Sequence, residues 1–176
     1  MEVKHVHNSL SEFVAEIQME EEFYQLNFDL NNKMTGLVVP DIFCTKSRNE
    51  RYLLSEIPES RPLLIYRYSH KNCTPCYIED LEMLQEEFSD SFDLLMVLCS
   101  YQTERDFVIF KRLHQKKLPG YHIPIHAFDW IVEDYGNPYY FVLHPDMKIS
   151  HVYVPNKIYP EFNRQYLEGV KRFLSK

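Results

Sequence analysis

At 176 residues, with a hydrophobic share of 45% and an aromatic share of 15%, the chain can bury an ordinary core and does not have a disordered composition. A formal charge of −7 and the want of any basic block argue against nucleic acid as the main partner. No apolar run approaches the roughly 18 residues of a membrane span, and four cysteines are too few for a disulfide scaffold at this length. Met1-Glu2-Val3-Lys4-His5 lacks the apolar core of a signal peptide, so either the protein is cytoplasmic or Met1 replaces a removed export segment.

The spacing predicts a helix over 9–26. Ser9-x-x-Glu12 matches a capping box, and Leu10, Phe13, Val14, Ile17 and Tyr24 fall near one face. Glu20-Glu21-Glu22 reads as a solvated face. The polar stretch 27–36, with Asn31-Asn32 and Gly36, reads as a connection. A domain boundary is placed there, with 1–36 as an N-terminal helical extension and 37–176 as the main domain. Residues 37–44 and 52–54, joined by the polar turn 46–50, predict a hairpin, and Pro40 confines its first run to an edge. Residues 58–62 form a loop.

The apolar run at 63–68 predicts a central strand covered on both faces. A helix over 74–89 follows, with Tyr77, Leu81, Leu84 and Phe88 as its core stripe and Asp80, Glu82, Glu86 and Glu87 on an acidic outer face. Residues 92–99 make a second buried strand. Strand, helix and strand of these lengths form a parallel, right-handed unit. Thr103-x-x-Asp106 opens another helix, carrying Phe107, Phe110 and Leu113, and Leu118-Pro119-Gly120 stops it. A short strand over 122–128, a helical turn or two over 129–135 and a break at 136–138 come next. Strands at 139–143 and 149–154 make a second hairpin about the turn 144–147. A last helix over 159–174 turns Phe162, Tyr166, Val170 and Phe173 inward. This order predicts an α/β fold, a mixed central β-sheet flanked by helices.

Cys73-Thr74-Pro75-Cys76 stands where the first central strand turns into its helix. A cysteine at a helix start meets unpaired backbone N–H groups and the positive end of the helix dipole. Both favour the thiolate, which is the nucleophile. Half of a zinc site is the rival, but it needs a second Cys/His pair, and Cys44 and Cys99 stand alone. Cys73 is therefore the candidate nucleophile toward a disulfide, with Cys76 resolving the mixed disulfide. A structural disulfide without turnover is the alternative. Pro75 suits a first helical turn. Glu79, one turn past Cys76, either shuttles the proton of Cys76, or raises a cysteine pKa, or is an ordinary surface glutamate. Lys71 and Arg67 would favour a thiolate if close, though Arg67 reads as a strand residue whose guanidinium reaches solvent. Cys44 and Cys99 read as small buried apolar residues.

The order of elements, with CxxC opening the first helix of the parallel unit and a proline just before the late hairpin, resembles the thioredoxin fold. More narrowly, residues 37–174 resemble the TlpA/ResA-like thiol–disulfide oxidoreductases. Val39-Pro40-Asp41-Ile42 is similar to the start of that family's added hairpin. Cys73-Thr74-Pro75-Cys76-x-x-Glu79 is similar to its C-x-P-C-x-x-E pattern, and Asn137-Pro138-Tyr139-Tyr140-Phe141-Val142 to its cis-proline loop and following strand. The resemblance implies a thioredoxin-like fold with an added N-terminal β-hairpin and N-terminal helix. It implies Cys73, Cys76 and Glu79 as catalytic residues, and Thr74, Pro75, Asn137 and Pro138 as substrate-binding ones, with Pro138 cis and facing the CxxC. It implies no cofactor and no metal, protein disulfide or dithiol substrates, a redox partner protein, no nucleic acid, and an extracytoplasmic place ahead of a cytoplasmic one.

Three positions depart from the pattern. Asn72 stands where the family has an aromatic residue, Arg67 where thioredoxins proper carry a buried acid, and Leu81 where the motif often ends in proline. The rival class is a non-catalytic thioredoxin-fold interaction module or a copper- or zinc-binding one. The metal reading would recruit His70 or His144, but Sco-like copper proteins have a CxxxC spacing that is absent here. The Pro-x-x-x-Thr-x-x-Cys context of a peroxiredoxin is absent too. Tyr139, Tyr121 and Trp130, if exposed near Pro138, would form an apolar dock.

Overall fold

Strand β3, Leu63–Ser69, is buried along its whole length, which places it in the middle of the sheet. The computed structural model describes residues 2–47, 50–58, 60–72, 74–114 and 117–176, with 2–13 as backbone alone. β4, Leu95–Ser100, runs parallel to β3, with Leu64 opposite Leu95 and Ser69 opposite Ser100. β6, Tyr139–Leu143, lies antiparallel on the other side. Outward from these come β5 (Gly120–His122), β1 (Phe43–Ser47) and β2 (Glu50–Leu53) on one flank and β7 (Ile149–Tyr153) on the other. Among the described residues the sheet order is β2-β1-β5-β4-β3-β6-β7.

Alternate residues of the central strands point to opposite faces, and each face has its own core. On one, Leu64, Tyr66, Tyr68, Val97 and Tyr140 meet α2 (Thr74–Glu87), α3 (Glu104–His114) and α5 (Pro160–Leu174). On the other, Ile65, Met96, Leu98 and Phe141 meet Leu30 and Met34 of α1 (Glu2–Met34) and Val132 of the short α4 (Ile131–Asp134).

Helix α1 is longer than its apolar spacing predicts. It begins at Glu2, so Ser9 lies within it and does not cap it, and it continues through the stretch expected to be a connection. The cause is a set of bonds to an edge strand. The Val154 N–H donates to Asn27 Oδ1 at 2.7 Å, and the Val152 N–H donates to Asn31 Oδ1 at 3.0 Å. An edge strand leaves a row of backbone groups unpaired, and these asparagines satisfy two of them from a helix. Gly36, at φ 87°, then ends the helix in the left-handed region, and 37–39 bond to the 147–149 backbone.

Three smaller expectations shift. The first hairpin strand starts at Phe43 rather than at 37, and Arg48 and Asn49 of its turn lie outside the described residues. β5 ends at His122 instead of running on to 128: the Ile123 N–H makes the last rung, to the Cys99 carbonyl at 2.9 Å, and Pro124 has no N–H to offer. α5 turns Asn163, Leu167, Val170 and Leu174 inward, while Phe162 is only half-buried and Phe173 is exposed. Asn163 is drawn in because its Oδ1 accepts from the Tyr153 hydroxyl and the Asn156 N–H. The cap of α3 stands as expected, with the Asp106 N–H donating to Thr103 Oγ1 at 3.1 Å, though Leu113 is exposed.

Candidate active site

β3 delivers the chain to a turn at 70–72, and α2 opens at Thr74. Cys73 lies between them, outside the described residues. Its neighbours define the site. Asn72 closes the turn by accepting the Ser69 N–H on Oδ1 at 2.5 Å, and its Nδ2 donates to the Gly136 carbonyl at 2.6 Å. One side chain thus ties the lead-in of the motif to the residue before Asn137-Pro138. An aromatic residue at 72 could not do this, and nothing local in the sequence signals it.

Thr74 and Pro75 are exposed at the start of α2, and the proline occupies the helix's second position, where a missing N–H costs little. Cys76 is half-buried and disulfide-bonded. Tyr77 turns inward and stacks on Tyr68, ring centroids 4.6 Å apart. Glu79 points outward and is exposed. Its neighbour Asp80 does not belong to the outer acidic face as expected: it is 6% exposed and accepts the Tyr66 hydroxyl on Oδ2 at 2.7 Å. Burial pushes its carboxyl up to about 6, against the pull of the Tyr66 bond and of Lys157. Asp80 lies three residues from Tyr77 and four from Leu84, the same spacing that marks the core stripe. Its position was readable, but its charge pointed the other way.

Arg67 also overturns its expectation. It is 1% exposed, and its Nε donates to Glu133 Oε1 at 2.9 Å. The Tyr139 hydroxyl donates to the same oxygen at 2.8 Å. A guanidinium in the interior needs such a partner, and α4 supplies it. Arg67 is therefore sealed in the interior and ion-paired with Glu133, not solvated as expected.

The Asn137–Pro138 bond is trans, since no cis peptide occurs among the described residues. This corrects the expected cis proline. Gly136, at φ 66°, reverses the chain after α4, and Pro138 leads into β6 in the trans form that X-Pro bonds ordinarily favour. Asn137 is half-buried and Pro138 buried. The loop still reaches the motif, through the Asn72–Gly136 bond. The expected apolar dock does not form. Tyr139 is buried on Glu133, Trp130 is nearly buried against Phe128 with ring centroids 4.4 Å apart, and Tyr121 packs toward Tyr52. In its place a groove of about 470 Å³ runs between the 69–72 turn and the 125–136 segment, lined by Lys71, Asn72, Asp129, Trp130 and Asp134 among others.

The remaining candidates lie apart. Cys44 and Cys99 are free and buried, and burial pushes both thiols up to about 12, which suits inert core residues. His144 follows β6 at Leu143, which pairs with Leu63, so it sits at the end of the sheet away from the motif and bonds Ser150 Oγ. His70 stays near the motif, with Nδ1 3.2 Å from the Ser100 carbonyl. Among the described residues no group of three or more His, Cys, Asp or Glu could hold a metal ion.

The strand order and the helices on both faces define a thioredoxin-like fold. Solved structures that share it include a thiol:disulfide interchange protein from Bacteroides sp., at TM-score 0.60 and 15% identity, covering 81% of this chain and 91% of that one. The thioredoxin domain of a thiol-disulfide oxidoreductase from Bacteroides vulgatus matches at TM-score 0.55 and 14% identity, over 76% and 97%. The peroxidoxin BcpB from Mycobacterium tuberculosis matches at 0.54 and 15%, over 79% and 97%. No family model matches the chain, and no curated protein matches it in sequence.

Proposed function

We propose that the protein is a thiol–disulfide oxidoreductase acting on protein disulfides, with Cys73 and Cys76 as its redox pair. The observation that carries this reading is the disulfide-bonded Cys76 in the first turn of α2, directly after the central strand of a thioredoxin-like sheet. Cys73, three residues earlier in the motif, is proposed as its exchange partner. In the reducing direction the Cys73 thiolate attacks one substrate sulfur. A mixed disulfide forms and the other substrate sulfur leaves as a thiolate. The Cys76 thiolate then attacks the Cys73 sulfur, so the substrate gains two electrons and the pair closes to a disulfide. A redox partner protein restores the dithiol.

Glu79, exposed one turn beyond Cys76, is proposed to take up the Cys76 proton. Thr74 and Pro75 at the exposed helix start, with Asn137 and Pro138 in the facing loop, are proposed to frame the substrate backbone. The resemblance to the TlpA/ResA-like proteins supports an extracytoplasmic setting. Insulin reduction tests the reading: wild type is expected to precipitate the reduced chains and Cys73→Ser to lose that activity. A wild type that is inert, and that purifies with stoichiometric metal, would support a metal-binding module instead.

A further inference from the structure

The groove beside the motif has walls of opposite character. On the α4 side stand Asp129 and Asp134, both exposed, and neither carries an ion pair among the described residues. Glu133 lies between them, but its charge is met by Arg67. The floor is apolar, with Trp130 stacked on Phe128. On the motif side the groove's cation is Lys71, exposed and also without an ion pair among the described residues. With the lining residue His126 counted as neutral, as in the chain's formal charge of −7, two uncompensated acids on the far wall against one base at the motif leave the groove negative.

We infer that this groove takes a cationic polypeptide segment, so that the preferred substrates carry lysine or arginine beside the cysteine to be attacked. This rests on the proposed exchange chemistry for its purpose, and on the groove alone for its selectivity. An acidic segment would meet Asp129 and Asp134 with like charge. A basic one places its cation against the α4 wall and its aliphatic stem over Trp130. Lys71 remains free to face the backbone carbonyls or the leaving sulfur at the motif end.

Binding can be measured without any redox step, because Trp130 is the chain's single tryptophan and lies in the groove. The probes are two peptides of one sequence, a central serine in place of the cysteine, flanked by lysines in one and by glutamates in the other. Titration of the full chain, read by tryptophan fluorescence, is expected to show the lysine peptide binding about tenfold tighter at low salt, the size two or so exposed charge pairs provide. The preference is expected to shrink at 0.5 M salt and to vanish in Asp129→Asn/Asp134→Asn. Equal affinities, a preference for the glutamate peptide, or no fluorescence response to either would overturn the inference. Turnover of a small neutral disulfide, measured separately on wild type, reports on the exchange chemistry itself, so the two failures are told apart.

Discussion

The two faces of the sheet each bury one charged side chain from the region of the motif, and they treat it differently. On the α4 face, Arg67 is matched by Glu133, and the pair is completed by Tyr139 and the Tyr68 carbonyl. On the α2 face, Asp80 has the Tyr66 hydroxyl for a partner, and Lys157 pulls on it without forming an ion pair among the described residues. The nearby Tyr140 hydroxyl is buried with no hydrogen-bond partner among the described residues. The paired charge fixes geometry, tying β3, α4 and β6 behind the groove. The unpaired one titrates, with its carboxyl pushed up to about 6. A buried charge is a strut where its counter-charge is supplied and a pH-dependent weakness where it is not.

Breaking the matched pair should have the largest effect. Glu133→Ala leaves a guanidinium uncompensated in the interior and is expected to cost about 3–5 kcal/mol in denaturant unfolding. Relieving the unmatched charge should act in the opposite sense. The folded-state pKa of Asp80, about 6, lies above the ordinary carboxyl value of 3.8, so the folded protein holds that proton more tightly than the unfolded chain. Stability should therefore fall as pH rises from about 4 to about 6 and stay low above that, a total of about 3 kcal/mol. Asp80→Asn keeps an acceptor for Tyr66 and has no charge to bury. It should be more stable than wild type by up to that amount at pH 8, gain nothing at pH 4, and flatten this part of the pH profile. Equal stabilities at both pH values would show that Asp80 is solvated in solution. Asn72→Ala should have the smallest effect, a loss of about 1–2 kcal/mol for two hydrogen bonds, together with slower insulin reduction because the motif is no longer tied to Gly136.

The same contrast explains what the amino-acid pattern revealed. β3, β4, β6 and the Tyr77-Leu81-Leu84-Phe88 stripe were legible because apolar periodicity is a local signal. Asn27, Arg67 and Asn72 were not, because each owes its place to a partner far along the chain. Asn27 bonds a residue 127 positions away, Arg67 one 66 away and Asn72 one 64 away. Asparagines at 27 and 31 therefore read as a connection although they dock a helix, and Arg67 read as solvated although it is sealed. The trans state of Pro138 was missed for a different reason: the expectation came from the resemblance, whereas the reversal is made locally by Gly136.

The redox role of the motif is tested most directly by trapping the mixed disulfide. Cys76→Ser leaves Cys73 without its resolving partner, so incubation with an oxidised peptide disulfide is expected to yield a covalent adduct at Cys73, found by mass spectrometry and released by dithiothreitol. The absence of any adduct at Cys73, or adduct formation at Cys44 or Cys99 instead, would contradict the account.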